Sequence, residues 1–189
     1  MKILWYDTET TGLDPVKQDI IQFAGIMEID GKVVDEIEVK MQPISYENVE
    51  QGALDVHGYS LEDFKSFPSA REGYLRILQF LDQHVSKFDK TDKLLSAGQN
   101  IKFDMEFLRQ NFIKNNNVFF GSYFDYHFID LQAITALMIK NKKLGIVNYK
   151  LETVCKELGI EIVAHDAISD IRATKACFEK YEQMLGLRT

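Results

Sequence analysis

The chain has 189 residues, 46% of them hydrophobic, with a net charge of -7 and a pI near 5.1. That is enough for one domain, residues 1–189, with a substantial core, and the acidity excludes broad, sequence-blind adhesion to a nucleic-acid backbone, which needs a basic face. No apolar stretch approaches the roughly 20 residues of a membrane helix, and the opening MKILWYDTETTG carries no signal-peptide pattern, so a cytoplasmic protein without membrane contact is expected.

Three strands are expected first, at Ile3 to Tyr6, Ile20 to Ile29 and Val33 to Met41, with Asp30-Gly31 as the hairpin turn between the last two. In the third, Ile37, Val39 and Met41 alternate with Glu36, Glu38 and Lys40, the period of a strand with one wet face. A loop-rich passage from Gly52 to Pro68 follows, then an amphipathic helix through Tyr74, Leu78, Leu81 and Val85. Leu94, Leu95 and Ala97 read as a short strand, a helix opens near Asn100, and a strand from Phe124 to Ile129 leads into a helix from about Asp130. A helix through Leu151, Val154, Cys155 and Leu158 stops at Gly159, and a last one carries Ile168, Ile171, Phe178, Tyr181 and Leu185. The class is α/β: a central mixed five-stranded sheet, with a three-stranded antiparallel meander and two added parallel strands, flanked by helices. Cys155 and Cys177 sit in helical patterns away from metal-ligand spacings and read as reduced core thiols.

Asp7 and Glu9 stand two apart at the end of the first strand, so both project from one face and can share one ligand. Their surroundings, Ile3 to Tyr6, are those of a central strand, where carboxylates are costly unless solvated, paired or metal-bound. Asp104 falls in the first turn of an apolar helix, where an acid also complements the helix dipole, and Asp170 lies five residues after His165 at the start of the last helix. Each acid alone suits an ordinary surface position. Together they match a demanding reaction. Phosphodiester hydrolysis needs a deprotonated water, a neutralised phosphate and a stabilised leaving oxygen, which two divalent ions about 3.5–4 Å apart supply. Mg²⁺ and Mn²⁺ prefer hard carboxylate oxygens, and a histidine near neutrality can take the proton of the attacking water.

DTETTG at Asp7 to Gly12, GQNIKFD at Gly98 to Asp104 and HDAISD at His165 to Asp170 resemble, in order, the three exonuclease motifs of the DEDDh family. This is the family of the proofreading epsilon subunit of DNA polymerase III, ribonuclease T and oligoribonuclease. The resemblance implies a ribonuclease H-like fold and 3′→5′ hydrolysis of single-stranded nucleic acid to nucleoside 5′-monophosphates, with DNA favoured. It implies two divalent ions, Mg²⁺ or Mn²⁺, held by Asp7, Glu9, Asp104 and Asp170, with Asp7 bridging and His165 as general base. The sister subfamily has a tyrosine four residues before its last Asp; Asp166 stands there in this chain. It also implies that Thr10, Thr11, Gly12 and Leu13 hold the terminal nucleotide.

Softer correspondences keep two readings each. His57, in VHGYS, matches a histidine near that nucleotide or is a loop histidine; Phe64 stacks on a base or packs in a satellite core; Asn100 matches a family Asn or caps a helix. Gln99 and Gln22-Phe23 depart from the pattern, which more often has His or Tyr at the first position and an acid followed by an aliphatic at the second. An RNA-trimming or oligoribonuclease-like enzyme is the alternative within the fold, and a non-catalytic polymerase-associated or nucleic-acid-binding module the alternative outside it. A DNA polymerase partner is compatible with a chain this short. Lys140, Lys142, Lys143 and Lys150 read as solvated or dipole-complementing, and the ending QMLGLRT as a helix end.

Overall fold

The computed structural model describes residues 1–162 and 166–187. Its sheet has the order β3-β2-β1-β4-β5, built from β1 (Lys2–Thr10), β2 (Ile20–Ile29), β3 (Lys32–Lys40), β4 (Leu94–Gly98) and β5 (Phe124–Asp130). β1, β2 and β3 form the antiparallel meander, and β4 and β5 extend it in parallel beside β1. The Asp30-Gly31 turn has positive φ at both residues, 50° and 78°, the geometry that follows the natural strand twist and that glycine adopts without steric cost.

Helices cover both faces. α1 (Gln51–His57), α2 (Leu61–Ser66), α3 (Ala70–His84), α4 (Ile101–Lys114) and α5 (Phe120–Tyr123) precede β5, and α6 (Leu131–Lys140), α7 (Leu151–Leu158) and α8 (Ala167–Met184) follow it. The passage expected as loop from Gly52 to Pro68 is therefore largely helical, with α2 opened by a reciprocal Ser60–Asp63 capping box. None of the described helices is long and apolar enough to cross a membrane.

Side chains of β1 alternate between two cores. Leu4 and Tyr6 join Phe23 and Met27 under α3 and α4, whereas Ile3 and Trp5 join Ala24 and Ile26 under Ala167 and Ile171 of α8. α6 and α7 pack on the remaining side of α8 through Leu131, Met138, Val154 and Tyr181. Cys155 and Cys177 are buried there as free thiols, their sulfurs 3.6 Å apart.

Candidate active site

The parallel ladder between β1 and β4 ends at Trp5 and Ala97, but β1 continues to Thr10, paired among the described residues only with β2. The strand is longer than its apolar run suggests, and its last residues have one edge open. On the α8 face this extension presents Asp7 and Glu9. Opposite Asp7 on β2 is Ala24, fully buried, whose small side chain leaves room for the carboxylate beneath α8.

α8 is brought to this point by several fastenings. Phe178 packs on Trp5 with ring centroids 5.0 Å apart, Lys175 pairs with Glu28 at 2.9 Å and Glu179 at 2.6 Å, and Arg172 reaches Glu36 at 2.5 Å. The Asp166 carboxylate caps the helix by accepting from the Ser169 amide, and Asp170 follows in the first turn. Carboxylate oxygens of Asp7, Glu9 and Asp170 then all lie within 4.8 Å of one another.

Asp104 reaches the same strand from the opposite face. It is buried near the start of α4, and its Oδ1 accepts from the Thr8 amide at 2.9 Å and the Thr8 hydroxyl at 2.7 Å. These four acids crowd one another. Burial, then Asp104, Glu9 and Asp170, raise the Asp7 carboxyl far above the usual range; burial and Asp170 push Glu9 up to about 8; burial pushes Asp104 up to about 7 against its Thr8 bonds.

Gln22 has a role that sequence reasoning did not find. Fully buried opposite Glu9, it donates through Nε2 to Glu38 at 3.0 Å and Asp166 at 3.1 Å, and its Oε1 accepts from the Tyr59 hydroxyl at 3.2 Å. An amide meets two carboxylates and one hydroxyl here without a repulsive contact, which an acid could not do. The available signal was a lone polar residue inside the apolar run IIQFAGIM. Thr8 was likewise missed.

Beside the carboxylates lies a cleft of about 370 Å³ lined by Glu9, Gly12, Leu13, Ala53, His57 and Phe103. Thr10 and Leu13 bracket it, Leu13 being 78% exposed, while Thr11 is buried and holds the loop by accepting from the Asp19 amide at 2.9 Å. A side chain at Gly12 would meet the Gln18 amide at 2.0–2.4 Å and would displace it from its bond to the Asp14 amide. His57 accepts from the Tyr59 amide through Nδ1 at 3.1 Å, has Nε2 without a partner among the described residues, and is held below its ordinary pKa by burial.

Phe64 does not face this cleft. It is fully buried against His57, Tyr46 and Phe67, which is the packing alternative of its two readings, and it supports the His57 ring. Asn100 is exposed, with φ 55°; its side chain makes no capping bond, and its amide donates to Asp130. The general-base expectation for His165 lies outside the described residues. Phe103, Ala53 and Glu50 line the cleft without having been expected.

A mixed sheet of this order, with carboxylates gathered where the ladder of its central strand runs out, has the ribonuclease H-like fold. Residues 4–178 match the model of the exonuclease family RNase_T, and the chain belongs to this family of DEDD exonucleases, which are nucleic-acid hydrolases. Among curated proteins it is similar to DNA polymerase III PolC-type of Thermotoga petrophila, 27% identical over 95% of this chain and 12% of that protein. The Oceanobacillus iheyensis protein of the same name is 29% identical over 95% of this chain and 11% of that protein. The chain thus spans about a tenth of the length of these relatives. The fold also resembles E. coli exonuclease I in complex with a dT13 oligonucleotide, at TM-score 0.78, 23% identity, 97% of this chain and 42% of that one. The zinc-bound form of the E. coli exonuclease I–ssDNA complex superposes at TM-score 0.79 with 23% identity, over 97% of this chain and 40% of that one.

Proposed function

We propose that residues 1–189 form one exonuclease domain that removes nucleoside 5′-monophosphates from the 3′ ends of single-stranded DNA with two divalent ions, in cooperation with a DNA polymerase. The observation that carries this reading is the convergence of Asp7, Glu9 and Asp170 oxygens within 4.8 Å, in surroundings that raise the Asp7 and Glu9 carboxyls well above the usual range. Hard oxygen donors without sulfur suit Mg²⁺ or Mn²⁺. Asp7, Glu9 and Asp170 would hold one ion, with Asp7 shared with a second that Asp104 serves. When bound, the ions supply charge neutralisation on the phosphate and on the leaving 3′ oxygen.

The remaining work falls to the chain. Thr10, Gly12 and Leu13 form the wall against which the terminal nucleotide seats, Thr11 fixes that loop from within, and His57, with its Nε2 unpartnered among the described residues, contacts the nucleotide from the side of α1. His165 takes the proton of the attacking water. Asn100, exposed at the head of α4, is a further contact for the strand in this reading, and Phe64 braces His57. The preference for DNA is supported by likeness to DNA polymerase III PolC-type and to an exonuclease I crystallised with oligodeoxynucleotides.

The test is hydrolysis of 5′-labelled DNA and RNA oligonucleotides with Mg²⁺ or Mn²⁺. Stepwise shortening of DNA from the 3′ end, abolished by Asp7→Ala, is expected. Failure to shorten either polymer, or retained turnover in Asp7→Ala, would overturn the reading, and faster cleavage of RNA would transfer it to an RNA-trimming enzyme.

A further inference from the structure

Resting on the exonuclease reading, we propose that a second cleft, walled by the loop at 15–16, α4 and β5, binds the nucleotides that precede the terminal one in a single strand. The cleft measures about 430 Å³, and Val16, Lys102, Arg109, Tyr126 and Phe128 line it. It continues the terminal cleft along two walls at once: Leu13 and Phe103 line the first, and Pro15 and Lys102 line the second.

Its composition suits a strand rather than a small apolar ligand. Phe124 and Phe128 pair with Leu94 and Ser96 of β4, and although the ladder is irregular between them, Tyr126 lines the cleft together with Phe128. Phe124 is buried beneath α4 and α5, but Tyr126 is 78% and Phe128 44% exposed, so two rings stand open at the edge of the sheet. Bases of any identity can stack on such rings. Lys102, Glu106 and Arg109 lie on one face of α4. The two cations are about 10 Å apart along the helix axis, a spacing that serves two phosphates rather than one.

Arg109 is steadied by the Phe120 ring, its guanidinium carbon 5.2 Å from the centroid. Glu106 also lines the cleft, leaving two cations against one acid on a chain whose net charge is -7. A local positive strip joined to an acidic centre admits the phosphates of a strand while the centre awaits cations.

The experiment compares the wild-type chain with two double variants, Tyr126→Ala with Phe128→Ala, and Lys102→Ala with Arg109→Ala. Substrates are the p-nitrophenyl ester of thymidine 5′-monophosphate, which reaches the terminal cleft alone, and oligothymidylates from two to about eight nucleotides. Wild-type KM should fall with strand length, and the aromatic double variant should lose about tenfold on the longer strands, relative to its own ester turnover. The cationic double variant should flatten the dependence of log KM on log salt by about 1.4, roughly 0.7 for each lost phosphate contact.

Unchanged length dependence in the first variant together with an unchanged salt slope in the second would overturn the proposal. If the wild type cleaves neither ester nor strand, the exonuclease reading fails, and anisotropy of a labelled oligothymidylate still decides the cleft. Weaker binding by both variants supports it; equal binding removes it.

Discussion

In the metal-free protein, Glu9 and Asp104 release their protons only near about 8 and about 7, and Asp7 lies far above the usual range, chiefly because burial disfavours their charged forms. Unfolding returns each to roughly pH 4, so between about pH 4 and pH 8 the folded chain holds protons that the unfolded chain has released. Stability is therefore fully present below that window and is lost as pH rises through it. Thermal unfolding in EDTA should show Tm falling from about pH 5 to about pH 8, with Mg²⁺ or Mn²⁺ restoring it at the alkaline end. Asp7→Asn should abolish turnover yet raise Tm in EDTA at about pH 8 by roughly 3 °C, the shift that about 1 kcal/mol gives in a domain of this size. A Tm in EDTA independent of pH would refute the crowding of charge. The acids themselves were legible because three short motifs carry them in order. Thr8 and Gln22 were not, since their value depends on Asp104 and Asp166, which lie 96 and 144 residues away in the chain.

At the scale of elements, β2 was readable from its apolar run, β3 from apolar alternation and their turn from Asp-Gly, and α3 and α8 from apolar stripes long enough to repeat. α1 and α2, of seven and six residues, complete fewer than two full turns each, so no stripe can establish itself and their passage reads as loop. The extension of β1 past Tyr6 was hidden because polar threonines and acids replace the apolar pattern while β2 still pairs with them. Gln22 ties four elements through Glu38 on β3, Asp166 at the head of α8 and Tyr59 after α1. Gln22→Glu would set a third carboxylate between two others and next to Glu9. A loss of about 1–3 kcal/mol in urea unfolding at about pH 8 is expected, largely recovered near pH 5 where the new carboxyl protonates. Equal losses at both pH values would assign the effect to packing instead.

Across the whole molecule, one sheet serves two cores directly, and among the described residues the third core, of α6 and α7, packs on α8 rather than on a strand. The single tryptophan, Trp5, lies in the core beneath α8, where it reports the docking of that helix. If residues 1–189 are one cooperative unit, Trp5 fluorescence and far-UV circular dichroism should follow a single coincident transition in urea. An earlier loss of helical signal with Trp5 still native would show that α6 and α7 melt separately. The alternation of strands and helices made the class of sheet readable. The clefts were not, because their walls come from segments scattered between the loop after β1 and β5.

The two bonds from Thr8 to Asp104 bear on how any substitution of that acid is to be interpreted. β4 has already ended at this level, so a side-chain oxygen takes the place that a neighbouring strand would fill for the Thr8 amide. Alanine at Asp104 removes a charge and also strands a buried main-chain donor, confounding chemistry with architecture. Asparagine keeps an oxygen for that donor while discarding the charge. The difference between the two variants isolates how much of the apparent catalytic importance of Asp104 is masonry.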